Sequence, residues 1–257
     1  MSTLPARTGW DWLKRGMGLF RKQPAALTTL LFASILLAIG ISAVPIIGPI
    51  VVVVLIPSFS MAFMQACLMI DNGDRVTPAV LLTGFRKPVL GGLCKVGVIY
   101  LGVFLVLTLL ALMITPESLR QLPGNIKLDP KDKLPFTLGD VAAVFGLLIL
   151  ETVSLLTLCF AAPLTCWKRM GAGKATFYSF FAVLRTARVF GVLLLCWFGI
   201  LMAAIFLVVT VFSTVMLAQV VLMWLMFLFI LFWQCAIYAG YRDIFGKPGA
   251  EKDLQAA

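Results

Sequence analysis

Six apolar stretches, each long enough to cross lipid as a helix, constrain this chain more than any other feature. A bilayer's hydrocarbon core is about 30 Å thick and holds no water to satisfy backbone N–H and C=O groups, so a spanning helix needs ~20 predominantly apolar residues. The stretches lie at 25–44, 50–70, 91–114, 141–163, 190–212 and 215–239. Composition agrees: 61% of the 257 residues are apolar and 12% charged, where a soluble domain carries roughly 45–50% and ~25%. The expected fold is therefore all-α, a polytopic transmembrane helical bundle of six spans forming one integral membrane domain, residues 1–257. Pro45, Gly48 and Pro49 stop the first helix and restart the second, which makes the pair a tight hairpin. Only Ser213 and Thr214 separate the last two runs, so their turn is expected to take residues from either side.

Charge placement orients the bundle. Arg7, Lys14, Arg15, Arg21 and Lys22 precede the first span, and Arg75, Arg86, Lys87 and Lys95 lie between or just beyond the second and third. Lys168, Arg169, Lys174, Arg185 and Arg188 connect the fourth and fifth, and Arg242, Lys247 and Lys252 follow the sixth. The alternate connections hold only Arg120, Lys127, Lys131 and Lys133, offset by Glu117, Asp129, Asp132 and Asp140. This asymmetry is the positive-inside pattern, and it predicts a multi-pass protein of the bacterial cytoplasmic (inner) membrane with both termini cytoplasmic, an external loop at 115–140 and a cytoplasmic tail at 240–257. The formal charge of +10 is spread over four segments, so it reports topology and excludes a nucleic-acid-binding domain. The first span is expected to be an uncleaved helix rather than a signal peptide, because it is long enough to cross and two tryptophans precede it.

Three short amphipathic stretches each end in a basic cluster followed at once by a span: 10–22 (an interfacial helix expected over 8–23), 76–87 and 174–188. In the first two, Phe20, Arg21, Lys22 and Pro24 correspond to Phe85, Arg86, Lys87 and Pro88. The pattern suggests an interfacial helix plus a helical hairpin used three times in one orientation, against the simpler alternative that any membrane protein puts basic residues at cytoplasmic span ends. On the first stretch Trp10, Leu13, Met17 and Phe20 share a face, and on the third Phe177, Phe181 and Leu184 sit beside Arg185 and Arg188. Such helices lie in the headgroup layer, so Arg21, Lys22, Arg86, Lys87, Arg185 and Arg188 are candidate lipid-headgroup contacts. The alternative is that they only cap the bundle.

Few residues offer chemistry. There is no histidine, and Cys67, Cys94, Cys159, Cys166, Cys196 and Cys235 include no C-x-x-C pair; these thiols read as small apolar packing groups, with no metal site, cofactor or disulfide framework expected. Glu151 is the acidic residue inside a span, where an ionised carboxylate costs ~2.5 kcal/mol or more. It must be neutral, paired or wet; Tyr100, Ser58, Ser60 and Trp197 are the candidate partners. A proton or ion relay through Glu151 is the functional alternative to a buried structural carboxyl. Small residues recur every four positions as Ser34, Ala38, Ser42 and as Ser58, Ala62, Ala66, a spacing that lets two helices approach closely; the hairpin itself is the expected pair, a homodimer seam the alternative. Gly171 to Thr176 resembles part of a phosphate-binding loop, but Lys168 stands where the earlier glycine belongs and no strand precedes it. No G-x-S-x-G, H-E-x-x-H or paired carboxylates occur within a span, so an enzyme is not expected.

The N-terminal pattern of Trp10, Trp12, Gly16, Leu19, Phe20, Arg21 and Pro24, the Pro45 to Pro49 hairpin and the segment from Asp71 to Phe85 together resemble an uncharacterised family of proteobacterial six-span inner-membrane proteins. The likeness covers most of the chain. It is broadly similar, too, to bacterial multispan membrane domains of unknown function, including the one attached to some glycerophosphodiester phosphodiesterases, whose soluble catalytic domain is absent from this sequence. The resemblance implies an inner-membrane location and supplies no catalytic or ligand residues. The function expected is non-enzymatic binding of membrane lipids or of other membrane proteins; the alternative is a proton-coupled small-solute permease using Glu151.

Overall fold

The computed structural model describes residues 4–86, 89–115, 138–212 and 215–248. Among them the regular structure is helical throughout, in nine α-helices and one 3-10 helix: α1 Thr8–Lys22, α2 Pro24–Ser42, α3 Ile47–Asn72, the 3-10 helix Pro78–Phe85, α4 Val89–Ile114, α5 Leu138–Leu158, α6 Ala161–Trp167, α7 Ala172–Arg185, α8 Ala187–Val211 and α9 Val215–Phe245. Six helical segments are long and apolar enough to cross a membrane: α2, α3, α4, the α5–α6 pair over Ala142–Trp167, α8 and α9. The six expected spans are thus present. Lys87, most of the expected external loop (116–137), Ser213, Thr214 and the tail beyond 248 lie outside the described residues.

Two spans carry charged residues past the C-terminal ends of their apolar runs. The second continues to Asn72 and the sixth to Phe245, carrying Asp71, Arg242 and Asp243 on helix, because each of these charges finds an ionic partner there. The α2–α3 hairpin turns at Ile46, whose φ of 65° and ψ of −53° are those of a γ-turn; its flanking Ile47 N–H donates to Pro45 O at 2.7 Å. Proline at 45 presets the approach, and the turn then holds a β-branched residue in a backbone region it rarely adopts.

Burial is concentrated at the end of the bundle that carries the termini. Met61, Ala62, Met64, Ala66 and Cys67 of α3, Leu93 of α4, Leu164 of α6, Leu193 of α8 and Leu231 and Cys235 to Tyr241 of α9 form its centre. The far halves of the spans expose their apolar side chains: Leu36 and Ile39 on α2, Phe104, Leu105, Val106 and Leu109 on α4, Phe206 and Leu207 on α8, Met216 and Leu217 on α9. Side chains such as these can face outward only into a hydrocarbon solvent.

The first helix does not merely rest on this core. The sequence places Trp10, Leu13, Met17 and Phe20 on one face; the structure instead buries Thr8, Gly9, Trp12, Leu13, Gly16 and Leu19, with Met17 exposed. Two glycines decide the face. A Cβ on Gly16 would sit 2.7 Å from the Ala236 backbone nitrogen of α9, and one on Gly9 would collide with the Val189 carbonyl of α8. Backbone therefore meets backbone along α1, and Trp12, fully buried, stacks edge-on against Phe190 at 5.4 Å.

The fourth span is broken. Pro163 has no N–H and its ring conflicts with the carbonyl four residues earlier, that of Cys159; α5 ends at Leu158 and α6 begins at Ala161. Irregular backbone at membrane depth must be satisfied by protein. Ser179, fully buried on α7, does this twice: its Oγ accepts from Phe160 N–H at 3.1 Å and donates to Thr157 O at 2.6 Å. Tyr100 of α4 donates its hydroxyl to Leu158 O at 2.9 Å.

Of the three amphipathic stretches, the third forms α7 as expected from its periodicity. The second forms a 3-10 helix, opened by Pro78 and with Gly84 pressed against the Ser58 backbone of α3. Eight residues are too few and too tightly held there for a free interfacial α-helix.

Candidate functional site

The side chains with the most electrostatic structure gather where α1 packs across the C-terminal ends of α3 and α9. Asp71, its side chain 14% exposed, accepts from Arg242 Nη1 at 2.9 and 3.0 Å and from the Tyr238 hydroxyl at 3.1 Å, with Lys247 Nζ at 3.7 Å. Asp243 accepts the Trp12 indole N–H at 2.9 Å and Arg15 Nη1 at 2.8 and 2.9 Å. Gln23, between α1 and α2, donates to Asp74 O at 2.7 Å and accepts from Val76 N–H at 2.9 Å, which ties the connection after α3 to the same region. Trp167 of α6 donates to Gln65 Oε1 of α3 at 3.1 Å. Below this polar layer the Cys67 and Cys235 sulfurs lie 3.6 Å apart, both buried and both free thiols.

Three cavities open at or beside this end. One, of about 240 Å³, is lined by Arg15, Gly18 and Lys22 of α1, Asp71 of α3, and Tyr238 and Arg242 of α9. A second, of about 520 Å³, lies beside the break in the fourth span between α4, α5 and α7, with Ile99, Ser154, Thr157, Thr176, Phe177 and Phe181 in its wall. The third, of about 560 Å³, lies between α7 and the end of α9 and includes Phe177, Tyr178, Arg185, Asp243 and Phe245. Phe177 and Phe181 belong to both of the larger cavities.

The expected headgroup contacts separate. Arg21 is exposed on α1, and Lys22 lines the smallest cavity. Arg86 is exposed just after the 3-10 helix, and Lys87 is outside the described residues. Arg185 ends α7 and lines the third cavity, while Arg188 is exposed in the first turn of α8. In the small-residue stripes, Ser58, Ala62 and Ala66 of α3 are buried; on α2 only Ser34 is, with Ala38 half-buried and Ser42 exposed. Glu151 is exposed on α5 and lines none of the three cavities. Its proposed partners are engaged elsewhere or unengaged: Tyr100 bonds Leu158 O, and Ser58 Oγ and Trp197 Nε1 have no hydrogen-bond partner among the described residues.

Sequence reasoning missed Trp12, Arg15, Asp71, Arg242 and Asp243 as a group. A signal was available for the two carboxylates: Asp71 directly follows the apolar run of the second span and Asp243 lies four residues past that of the sixth, both on the basic side, where a half-buried carboxylate needs a cation or donors.

Six apolar spans with an ion-paired layer at the end carrying both termini define a polytopic, all-helical integral membrane protein. Over 96% of its length the chain is 31% identical to a protein of Burkholderia thailandensis described as a "probable inner membrane protein", of which the alignment covers 95%. The chain belongs to this family of proteobacterial multi-pass inner-membrane proteins. No protein-family model matches it, and no solved structure does.

Proposed function

We propose that this inner-membrane protein is a non-enzymatic lipid-binding protein, with both termini and its basic end in the cytoplasm, where it binds phospholipid along the interfacial helix α7. One observation carries the reading: α7 is apolar on two opposite faces. Ala175, Ser179 and Val183, four residues apart, are buried against the bundle, while Phe177, Phe180, Phe181 and Leu184 point away at 61%, 44%, 44% and 58% exposure. A helix bordering water would be polar on that second face; one lying at the acyl boundary is apolar there and basic at its edges. Lys174 and Arg185 supply those edges, and Arg188 follows one turn later. The charge asymmetry of the loops supports the cytoplasmic assignment of this end.

The experiment is native mass spectrometry of the full chain released from phosphatidylglycerol-containing nanodiscs, comparing wild type with a Phe177→Ser, Phe180→Ser, Phe181→Ser variant of unchanged helicity. At least a fivefold fall in retained phospholipid is expected. Undiminished retention, or loss of a co-purifying polypeptide in place of lipid, would remove α7 as a lipid contact.

A further inference from the structure

We infer that the cavity between α1, α3 and α9 is a binding site for a phosphate group, presented by an anionic lipid or free in solution. The inference deepens the lipid-binding reading and shares its placement of this end in the headgroup layer, but it uses no residue of α7.

The charges around the cavity do not cancel. Arg15, Lys22 and Arg242 line it against the single carboxylate of Asp71. Including the ionic partners just outside, Asp243 on Arg15 and Lys247 on Asp71, four cations still face two carboxylates. The pairing also leaves donors over. Arg242 bonds both Asp71 oxygens through Nη1 alone, and Arg15 bonds both Asp243 oxygens through Nη1 alone; Nε and Nη2 of each have no other partner among the described residues. Lys22 has no ion pair there. A guanidinium held in place by a carboxylate with its remaining N–H groups free is suited to a phosphate, whose oxygens accept from planar N–H pairs.

The carboxylates position rather than occupy. Asp71 already receives Arg242, Tyr238 and Lys247, so it fixes the Arg242 guanidinium at the cavity wall. Asp243, held by the Trp12 indole as well, does the same for Arg15. The volume of about 240 Å³ admits a phosphate group with several waters, each taking about 30 Å³. The site also has the right depth for a headgroup: Asp71 and Arg242 stand just past the apolar runs of the second and sixth spans, where basic pockets between transmembrane helices take phosphorylated headgroups.

Two substitutions test it without cutting the ion pairs. Lys22→Gln removes the unpaired cation. Gly18→Leu fills the cavity, because a Cβ at Gly18 meets nothing within 4 Å and the helix accepts leucine readily. The full chain in phosphatidylcholine nanodiscs is titrated with inorganic phosphate by calorimetry; in a second arm, nanodiscs containing phosphatidic acid are examined by native mass spectrometry for retained lipid. Expected is binding in at least one arm, weakened about tenfold by each variant and reduced by added salt, which screens such contacts. Binding of phosphatidic acid alone assigns a lipid source, of inorganic phosphate alone a soluble one, and of both a pocket that reads only the phosphate. No binding in either arm, or binding that both variants leave intact while their thermal unfolding matches wild type, overturns the site. The α7 serine variant separates the two readings: it is expected to bind inorganic phosphate normally. If it sheds lipid while Lys22→Gln and Gly18→Leu change nothing, α7 stands and this cavity falls; the reverse pattern keeps the cavity and removes α7.

Discussion

Trp12 donates its indole N–H to Asp243 at 2.9 Å, closing 231 positions of sequence into one contact between the first helix and the last. The same carboxylate holds Arg15 one turn further along α1, so a single side chain on α9 fixes both the depth and the rotation of the N-terminal helix. Trp12→Ala is expected to destabilise the protein by about 3–5 kcal/mol, the usual cost of emptying a buried aromatic site, and to expose α1 to limited proteolysis. Trp12→Phe keeps most of the packing and lacks the donor, so it should cost about 1–2 kcal/mol. Equal unfolding midpoints in detergent for both variants would show that the hydrogen bond, not the ring, holds the helix.

The α3–α4 seam depends on a missing side chain. A Cβ at Gly97 would collide with the Val54 carbonyl, whereas one at Gly102 on the same helix meets nothing within 4 Å. Gly97→Val should therefore lower the thermal midpoint by several degrees and Gly102→Ala leave it unchanged or slightly raised, since small residues matter only where two backbones touch. A neutral Gly97→Val would mean that the two helices are not in contact at that level.

Ser179 and Pro163 are expected to be energetically coupled through the broken fourth span, since the serine bonds backbone groups freed by the break. Ser179→Ala leaves Phe160 N–H and Thr157 O without their partner and should cost about 1–3 kcal/mol. In a Pro163→Ala background the helix can close its own hydrogen bonds, so the same substitution should cost less. A double-mutant cycle reads this as an interaction energy of about 0.5–3 kcal/mol; strict additivity would separate the serine from the break.

Relief of strain is expected at the hairpin. Ile46 has φ of 65° and is 83% exposed, so its side chain contributes little packing while its backbone is held in a costly region. Ile46→Gly should raise stability by about 1 kcal/mol after the entropy lost to glycine, read as a higher midpoint of urea or thermal unfolding. A drop would place the isoleucine in a contact.

For Glu151, outward exposure on α5 predicts that Glu151→Leu folds at wild-type level with a midpoint unchanged or higher, because an apolar side chain suits an acyl environment better than a carboxyl group. Marked destabilisation would reveal a partner for it.

All six crossings were legible because each is a long apolar run, and length against bilayer thickness leaves little freedom in reading them. Their ends were less so: Asp71 and Asp243 look like loop charges until Arg242 and Arg15 are seen beside them. The buried face of α1 was misread for a related reason. Counting large apolar side chains favours Met17, but the closest approach is made at Gly9 and Gly16, where what matters is the backbone on the other side. The break before Pro163 is written in the sequence; that Ser179 and Tyr100 repair it is not, since neither is near it along the chain. The arginine-lined cavity was invisible for the same reason, being assembled from three helices by contacts among residues far apart.

The concentration of burial at one end gives the surroundings a share in the architecture. Where the far halves of α2, α4, α8 and α9 turn their apolar side chains outward, acyl chains complete the packing that neighbouring helices supply elsewhere. Such a molecule is sheaf-like, bound at the stems, and its spread should respond to the thickness and lateral pressure of the film around it.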